Sequence, residues 1–263
     1  GVGKTEPEMQ AALEANILSF NVESLQELEH LNRVAGRLNR KAPVSLRVNP
    51  DINPQTHPYI STGLKENKFG IPITEAKRIY QEAARYANIE FIGIDCHIGS
   101  QMLSLSPIIE TLKELRAFIL ELKSNGIIIR HLNLGGGLGI RYHQENPPTP
   151  KEYLDVAVSH TRDLDIKLIF EPGRTIVGNA GILLSTVLYT KEAPEKSFVI
   201  VDAAMNDLIR PSLYQAYQDI WPVTKTDRTT RKVDIVGPIC ESGDFLAKDR
   251  TLPLFQSGDL LSV

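Results

Sequence analysis

The sequence predicts an α/β fold with a parallel sheet, followed by a smaller region that is rich in β-strands. Up to Arg174, apolar runs typical of strands alternate with helical patterns, and such alternation indicates right-handed crossovers between parallel strands. After Arg174, strands follow one another without an amphipathic helix of similar strength. We therefore expect two domains, residues 1–178 and residues 179–263.

Each predicted element depends on a local pattern. Ser24 and Glu27 predict a capping box at the start of a helix whose apolar side chains recur at helical spacing. Ser106 and Pro107 open the clearest helix, and Gly126 is its expected stop. Further helices are predicted over 75–87 and 153–162. Strands are predicted over 19–22, 44–48, 91–94, 127–134, 166–170, 182–189, 197–201, 233–236 and 260–263.

Composition excludes several classes of protein. The chain has 263 residues, of which 42% are hydrophobic and 23% charged, with a net charge of -3. These values are typical of a globular domain and exclude a disordered, collagen-like or disulfide-rich chain. The slight acidity argues against nucleic acid as a partner, and no apolar run is long enough to predict a membrane span. Two cysteines, Cys96 and Cys240, fit a reducing compartment such as the cytoplasm.

Polar and glycine residues recur at the carboxyl ends of the predicted strands, where parallel sheets build their sites. They are Arg47, His97 with Ser100, Gly135 to Gly137, and Glu171 with Arg174. Taken singly, each has a plain structural interpretation, such as a turn, a surface charge or a satisfied histidine. Their recurrence at the same end of successive strands favours a functional site.

The chemistry of these residues converges on one ligand. Glycines 135–137 expose backbone N–H groups that suit a phosphate, and Arg174 and Ser100 add a cation and a hydroxyl donor. The Glu171 carboxylate is able to hold a protonated heteroaromatic nitrogen, and the flat His97 ring is able to stack on a cofactor. Together these groups predict a site for pyridoxal 5′-phosphate.

Long ordered motifs carry a resemblance over essentially the whole chain. They are Val48–Asp51, His57–Gly70, Asp95–Gln101, Asn133–Gly139, Glu171–Arg174, Met205–Pro211, Tyr214–Tyr217 and Gly237–Asp249. The chain resembles the fold type III enzymes that depend on pyridoxal phosphate, the alanine-racemase-like family that includes diaminopimelate, ornithine and arginine decarboxylases. The resemblance implies a (β/α)8 barrel, also called a TIM barrel, followed by a β-rich domain.

The resemblance also implies roles for single residues on the cofactor side. His97 would stack against the cofactor ring, and Glu171 would pair with the ring nitrogen. The phosphate would be held by Ser100 and by the backbone of two loops, which comprise Gly135, Gly136, Gly137, Pro172, Gly173 and Arg174.

On the substrate side, the resemblance implies that Arg174, Arg210 and Tyr214 bind substrate. Cys240 would be the catalytic proton donor, and Glu241 would bind the distal ammonium of the substrate. In this family these two residues reach into the site of a partner subunit, which implies a homodimer. Glutamate after the cysteine, where ornithine-type relatives usually carry aspartate, favours meso-diaminopimelate and the last step of lysine biosynthesis.

One part of the family pattern does not match. The lysine that binds the cofactor covalently lies on the first barrel strand, and the predicted strands here match the fourth to the eighth, with residues 1–5 matching the end of the third. We therefore expect a partial barrel and part of the β-rich domain, inactive alone and active in the full-length enzyme. Lys4, Lys65, Lys68 and Lys248 do not occupy the position of that lysine.

Three alternatives stay open at this point. The substrate of a related decarboxylase would be ornithine or arginine. A non-catalytic relative would bind the cofactor or a partner without chemistry. Finally, Gly1–Thr5 is similar to the end of a P-loop. Phe198–Asp202 is a superficial match to a Walker B strand, which ends in aspartate. In this interpretation the protein would be an NTPase.

Overall fold

The computed structural model describes residues 1–50 and 68–263 and divides into two compact units. Unit 1 comprises residues 1–140 and 146–176, and unit 2 comprises residues 141–145 and 177–263. The motif stretch His57–Gly70 lies mostly outside the described residues, as do Lys65 and Asp51. The assignment of functions to two domains, 1–178 and 179–263, stays a prediction.

Unit 1 is built on a parallel sheet with helices between its strands. The strands are β1 (Phe20–Val22), β2 (Ala42–Asn49), β3 (Ile71–Pro72), β4 (Ile89–Asp95), β5 (His131–Asn133) and β6 (Lys167–Ile169). The helices are α1 (Glu6–Glu14), α2 (Leu25–Arg37), α3 (Ile73–Gln81), α4 (Ser106–Ser124), α5 (Pro150–Thr161) and the short α6 (Arg174–Val177), with a 3-10 turn at Ala83–Arg85. The strand order is β1-β2-β4-β5-β6 with β3 beside β2, and every pairing is parallel.

The helices of unit 1 form where an apolar stripe faces the sheet. In α4 the stripe predicted from the sequence is buried, with Leu112, Leu115 and Phe118 at most 1% exposed. The helix ends before Gly126, whose φ of 78° places it in the left-handed region that favours glycine. The predicted stop of α4 is therefore confirmed.

Of the two hydrogen bonds that the capping box predicts for α2, one is confirmed and the prediction of the other is wrong. The Ser24 hydroxyl accepts the Glu27 N–H at 3.1 Å, as expected. The Glu27 carboxylate does not return to Ser24, because it accepts the N–H of Glu23 and pairs with the Lys4 ammonium at 2.7 Å. One carboxylate oxygen of Glu27 thus bonds the backbone one residue before the cap, and the other pairs with a cation distant in sequence. Complete capping boxes occur instead at Thr5–Glu8 and Thr149–Glu152.

Unit 2 is β-rich and its sheet is mixed. The elements are α7 (Arg210–Tyr214), β7 (Leu184–Glu192), β8 (Ser197–Val201), β9 (Trp221–Pro222), β10 (Thr230–Val236), β11 (Phe245–Pro253) and β12 (Leu260–Ser262). The strand order is β11-β10-β8-β7-β12-β9, and only β8 and β10 pair in parallel. The parallel sheet of unit 1 and this β-rich unit confirm the predicted fold class.

The sequence analysis did not predict β11, which pairs with β10 with two shifts of register. Its middle carries the charged run Lys248–Arg250, and Asp249 has a φ of 54°. These features interrupt the alternation by which strands are predicted. Among the described helices, none has the length and apolar character needed to cross a membrane.

Candidate active site

Four neighbouring strands of unit 1 carry the polar and glycine residues that were predicted at strand ends. Arg47 lies near the end of β2, His97 follows β4, Gly135 follows β5 and Glu171 follows β6. Because these strands are adjacent and parallel, their ends meet at one edge of the sheet. The structure therefore brings together the unit 1 residues that the sequence placed in one site.

The glycine-rich loop after β5 is in direct backbone contact with the loops after β4 and β6. A Cβ atom on Gly136 would lie 2.3 Å from the Glu171 carbonyl oxygen, and one on Gly137 would lie 2.2 Å from the Gly99 carbonyl oxygen. Gly137 also has a φ of 104°. Any larger residue would force the three loops apart, so the glycines are needed for their close approach.

The His97 ring is fixed in orientation by the same loop. Its Nδ1 atom accepts a hydrogen bond from the Gly136 N–H at 3.1 Å, so this nitrogen carries no proton. Burial lowers the pKa of His97, and the nearby Arg47 cation lowers it further, against the opposing effect of Glu171. The result is a neutral flat ring held in place, which suits stacking on a cofactor better than proton transfer.

The Glu171 carboxylate has one oxygen held and one open. Its Oε1 accepts hydrogen bonds from the side-chain amides of Asn133, at 2.6 Å, and Asn21, at 3.4 Å. The Asn133 Oδ1 in turn accepts the Gly135 N–H at 2.9 Å. No residue in the ranges 1–50 and 68–263 donates to Glu171 Oε2. The sequence analysis missed Asn133 as a bridge, although its place at the end of β5 was a signal.

A cation and a hydroxyl lie together where the phosphate was predicted. The Arg174 guanidinium donates to Ser100 Oγ at 3.1 Å and to Gln101 Oε1 at 3.3 Å. The Gln101 side chain also donates to the Ile140 carbonyl oxygen at 2.6 Å and accepts the Ile140 N–H at 3.1 Å. It therefore links the loops after β4 and β5.

Pyridoxal phosphate needs donors for its phosphate, an acceptor for its ring nitrogen and a flat partner for its ring. The backbone N–H groups of Gly137 and Gly173 make no hydrogen bond among the described residues, and Pro172 has no N–H to compete with them. Open amides beside a guanidinium and a hydroxyl fit a phosphate. The open Glu171 oxygen fits a ring N–H⁺, and the His97 ring fits a stacking partner. The residues of unit 1 therefore fit this cofactor.

A buried carboxyl group lies beneath this cluster. Asp95, at the end of β4, is 4% exposed, and its Oδ2 lies 4.0 Å from Arg47 Nε. Within residues 1–50 and 68–263, Asp95 Oδ1 and Arg47 Nε have no hydrogen-bond partner. Burial and the charge of Glu171 raise the pKa of Asp95 to about 7, although Arg47 opposes them.

In unit 2, two of the predicted substrate residues, Arg210 and Tyr214, lie on α7. The Arg210 guanidinium lies 5.2 Å from the ring centre of Tyr142 and 5.3 Å from that of Tyr214. Cys240 and Glu241 lie on the loop between β10 and β11, and both are exposed. Glu241 Oε1 accepts the Gly243 N–H at 3.0 Å.

One buried carboxylate positions the loop that carries Cys240. Asp244 is 3% exposed, and its two oxygens accept the N–H groups of Met205, at 2.7 Å, and Ile239, at 2.8 Å. The Ser212 hydroxyl of α7 donates to the Gly243 carbonyl at 2.6 Å. The loop of Cys240 is therefore fastened to α7 and to the segment before it. The sequence analysis quoted Asp244 in a motif but gave it no role.

The P-loop interpretation of Gly1–Thr5 finds no support in the geometry. The Lys4 ammonium donates to the carbonyl oxygens of Gly1, at 2.8 Å, and Asn21, at 2.6 Å, and to Glu27 at 2.7 Å. All three donors of this lysine are thus occupied by protein atoms. A P-loop lysine instead reaches toward phosphates.

Comparisons with known proteins show the family to which the chain belongs. A family model described as "Pyridoxal-dependent decarboxylase, pyridoxal binding domain" matches residues 1–178. The chain is 57% identical over 263 residues to a diaminopimelate decarboxylase of Pseudomonas aeruginosa and 54% identical over 264 to one of Vibrio cholerae. Each alignment covers 100% of the chain, which spans 63% of the length of these relatives.

Among solved structures, the chain is similar to a diaminopimelate decarboxylase from Helicobacter pylori complexed with L-lysine. The TM-score is 0.95 and the sequence identity 43%, over 100% of this chain and 66% of that one. A diaminopimelate decarboxylase from M. jannaschii in co-complex with L-lysine matches with a TM-score of 0.91 at 41% identity, over 100% of this chain and 62% of that one.

Proposed function

The chain belongs to the family of pyridoxal-dependent decarboxylases, and from this premise we propose that the full-length protein converts meso-diaminopimelate to L-lysine and CO2. The observation that carries the proposal is the strand-end cluster of unit 1. There the open oxygen of Glu171, the neutral His97 ring and the open glycine amides meet the needs of one cofactor. The diaminopimelate decarboxylases among its relatives support the substrate.

Pyridoxal phosphate, when bound, draws electrons from the bond that joins the departing carboxylate to the substrate. Glu171 Oε2 would keep a proton on the ring nitrogen, which would maintain that electron demand. His97 would stack on the ring without competing for the proton, since its Nδ1 is already an acceptor for Gly136. Ser100, Arg174 and the amides of Gly137 and Gly173 would hold the phosphate.

The residues of unit 2 bind the substrate and complete the proton transfer. The planar fork of Arg210 suits the distal carboxylate, because it binds two oxygens at once, and Tyr214 lies beside it. Glu241 binds the distal ammonium, and Arg174 contributes a further cation to the substrate. Cys240 gives the proton from its Sγ to the carbon that CO2 has left.

The partner that we propose is a second copy of the same chain. The support is the exposure of Cys240 and Glu241 together with the family resemblance, in which these residues act at the site of the other subunit. Mixing full-length Glu171→Ala and Cys240→Ala subunits, each inactive alone, is expected to restore part of the activity. If each site were built within a single subunit, mixing would restore none.

The compartment that we propose is the cytoplasm, or an organelle stroma. Cys96 and Cys240 are both free thiols, one buried and one exposed, and exposed thiols persist where the environment is reducing. A fluorescent fusion of the full-length protein would show the compartment directly.

The proposed reaction is tested by product analysis with the full-length protein. With pyridoxal phosphate and meso-diaminopimelate, we expect L-lysine and CO2 in equal amounts, and we expect Cys240→Ala to lose nearly all of this turnover. A protein that binds the cofactor but releases no CO2 would be a non-catalytic relative, and the proposal would fail.

A further inference from the structure

A short segment of unit 2 has no role in the function proposed so far. Residues 141–145 follow the glycine-rich loop in the chain, yet they belong to unit 2. Glu145 Oε2 accepts the N–H groups of Tyr142, at 3.0 Å, and His143, at 2.6 Å. Arg141 Nε donates to the His143 carbonyl at 3.0 Å. The segment is therefore a tight turn closed by its own charged side chains.

Two rings of this turn pack on the segment that contains α7. The His143 ring stacks on Tyr217, with centroids 4.1 Å apart and planes inclined by 22°. The central guanidinium carbon of Arg250 in turn lies 3.5 Å from the centre of the Tyr217 ring. The Tyr142 ring lies 5.2 Å from the Arg210 guanidinium. The turn is thus fastened at two points, and one of them is the predicted substrate arginine.

Among the described residues, Arg210 has aromatic rings as partners but no hydrogen-bond acceptor. Its guanidinium makes no hydrogen bond or ion pair with any residue of the ranges 1–50 and 68–263, and its Nε is buried. Contacts with the faces of Tyr142 and Tyr214 restrain the guanidinium while they leave its N–H donors unused. A buried N–H without an acceptor is costly, so the arrangement is suited to receive an anion.

We propose that Tyr142 is a positioning residue, which with Tyr214 holds Arg210 ready for the distal carboxylate of the substrate. Through Arg210, Tyr142 then helps to select a diamino acid with a second carboxylate over one without it. This proposal rests on the proposed function, since it takes meso-diaminopimelate as the substrate. It adds a specificity-determining contact from a turn that adjoins the glycine-rich loop in the chain.

The test compares two substitutions at Tyr142 in the full-length holoenzyme. Tyr142→Leu removes the ring face and is expected to raise KM for meso-diaminopimelate about tenfold, with kcat within about twofold. Tyr142→Phe keeps the ring and is expected to restore a KM near that of the wild type. Inhibition by L-lysine, which keeps the distal carboxylate, is expected to weaken in Tyr142→Leu, whereas inhibition by cadaverine, which has neither carboxylate, is expected to stay unchanged in both variants.

Two further variants separate positioning from a structural role. Tyr142→Leu is expected to add nothing to the KM of Arg210→Lys, because Tyr142 acts through that arginine. Tyr189→Leu, at an exposed ring on β7, is the matched control. If Tyr142→Leu fails to fold, Tyr142→Met provides the second variant with the same expected rise in KM.

The outcomes distinguish this proposal from the proposed function. An unchanged KM in Tyr142→Leu and Tyr142→Met, or an equal loss of affinity for L-lysine and cadaverine, would overturn the role of Tyr142 alone. A wild-type protein that neither binds nor turns over meso-diaminopimelate would overturn the proposed function and, with it, this proposal.

Discussion

The glycine-rich loop of unit 1 and the Cys240 loop of unit 2 are built in opposite ways. At Gly136 and Gly137 the backbones of three loops approach so closely that no Cβ atom fits. The loop of Cys240 exposes Cys240 and Glu241 and is held in place by the buried Asp244. The proposed cofactor site thus depends on main-chain geometry, whereas the position of the proposed proton donor depends on one side chain.

Because of this difference, we expect a substitution in one of these loops to leave the geometry of the other loop unchanged. Distortion of the glycine-rich loop moves His97 and Glu171 together, because Gly136 contacts both through its N–H and its Cα. Loss of Asp244 releases the Cys240 loop but leaves the contacts within unit 1 unchanged. Cofactor affinity and turnover should therefore respond to different substitutions.

The largest effect is expected from Gly136→Ala. The new methyl group would overlap the Glu171 carbonyl oxygen and push the loops apart, so cofactor affinity is expected to fall about 100-fold. Titration of the full-length apoprotein with pyridoxal phosphate measures this affinity. Gly181→Ala is the matched control, since a Cβ there has no atom within 4 Å. Normal cofactor binding by Gly136→Ala would contradict the main-chain account.

A smaller effect, on turnover alone, is expected from Asp244→Ala. The substitution leaves the N–H groups of Met205 and Ile239 without their acceptor, so the Cys240 loop moves and kcat falls about 30-fold. Steady-state kinetics and cofactor titration of the full-length enzyme check this together. The exposed Asp227→Ala is the control. A parallel loss of cofactor affinity in Asp244→Ala would show that the two regions are not separable.

The smallest effect on activity is expected from Asp95→Asn, whose main consequence is on stability. The folded pKa of about 7 lies above the ordinary value of 3.8, so the folded protein keeps a proton that the unfolded chain releases between these values. The free energy of unfolding of the wild type therefore falls as pH rises from about 4 to 7, by at most about 1.4 kcal/mol per pH unit from this group.

Denaturant unfolding of the apoprotein at several pH values measures this contribution. Relative to the wild type, Asp95→Asn is expected to gain stability progressively as pH rises to about 7 and to keep a constant gain above it. Identical pH dependence in the two proteins would show that burial and Glu171 do not perturb Asp95 as described.

The strand ends and the glycine-rich loop could be predicted because both depend on local sequence. Alternation of strands and helices fixes which residues follow each strand, and three successive glycines predict a close backbone approach. The predicted strand 127–134 proved shorter, at His131–Asn133, and the predicted helix 75–87 became α3 and a 3-10 turn. Such boundaries depend on pairing and packing, which local patterns specify poorly.

The roles of Asp244, Asn133 and Tyr142 could not be predicted, because their partners are distant in sequence. Asp244 bonds Met205, Asn133 bonds Glu171, and Tyr142 contacts Arg210. The error at Glu27 has the same cause, since its carboxylate turns to Lys4. Local motifs therefore gave the candidate site residues, while the side chains that contact them from distant parts of the sequence became visible only in the fold.

The substrate preference of the full-length enzyme tests the central claim most directly, since the claim depends both on the proposed cofactor site of unit 1 and on the proposed role of Arg210 in unit 2. The measurement is kcat/KM for meso-diaminopimelate, ornithine and arginine under the same conditions. The account predicts that meso-diaminopimelate is strongly preferred and that Arg210→Lys loses most of this preference. Faster turnover of ornithine or arginine by the wild type would contradict it.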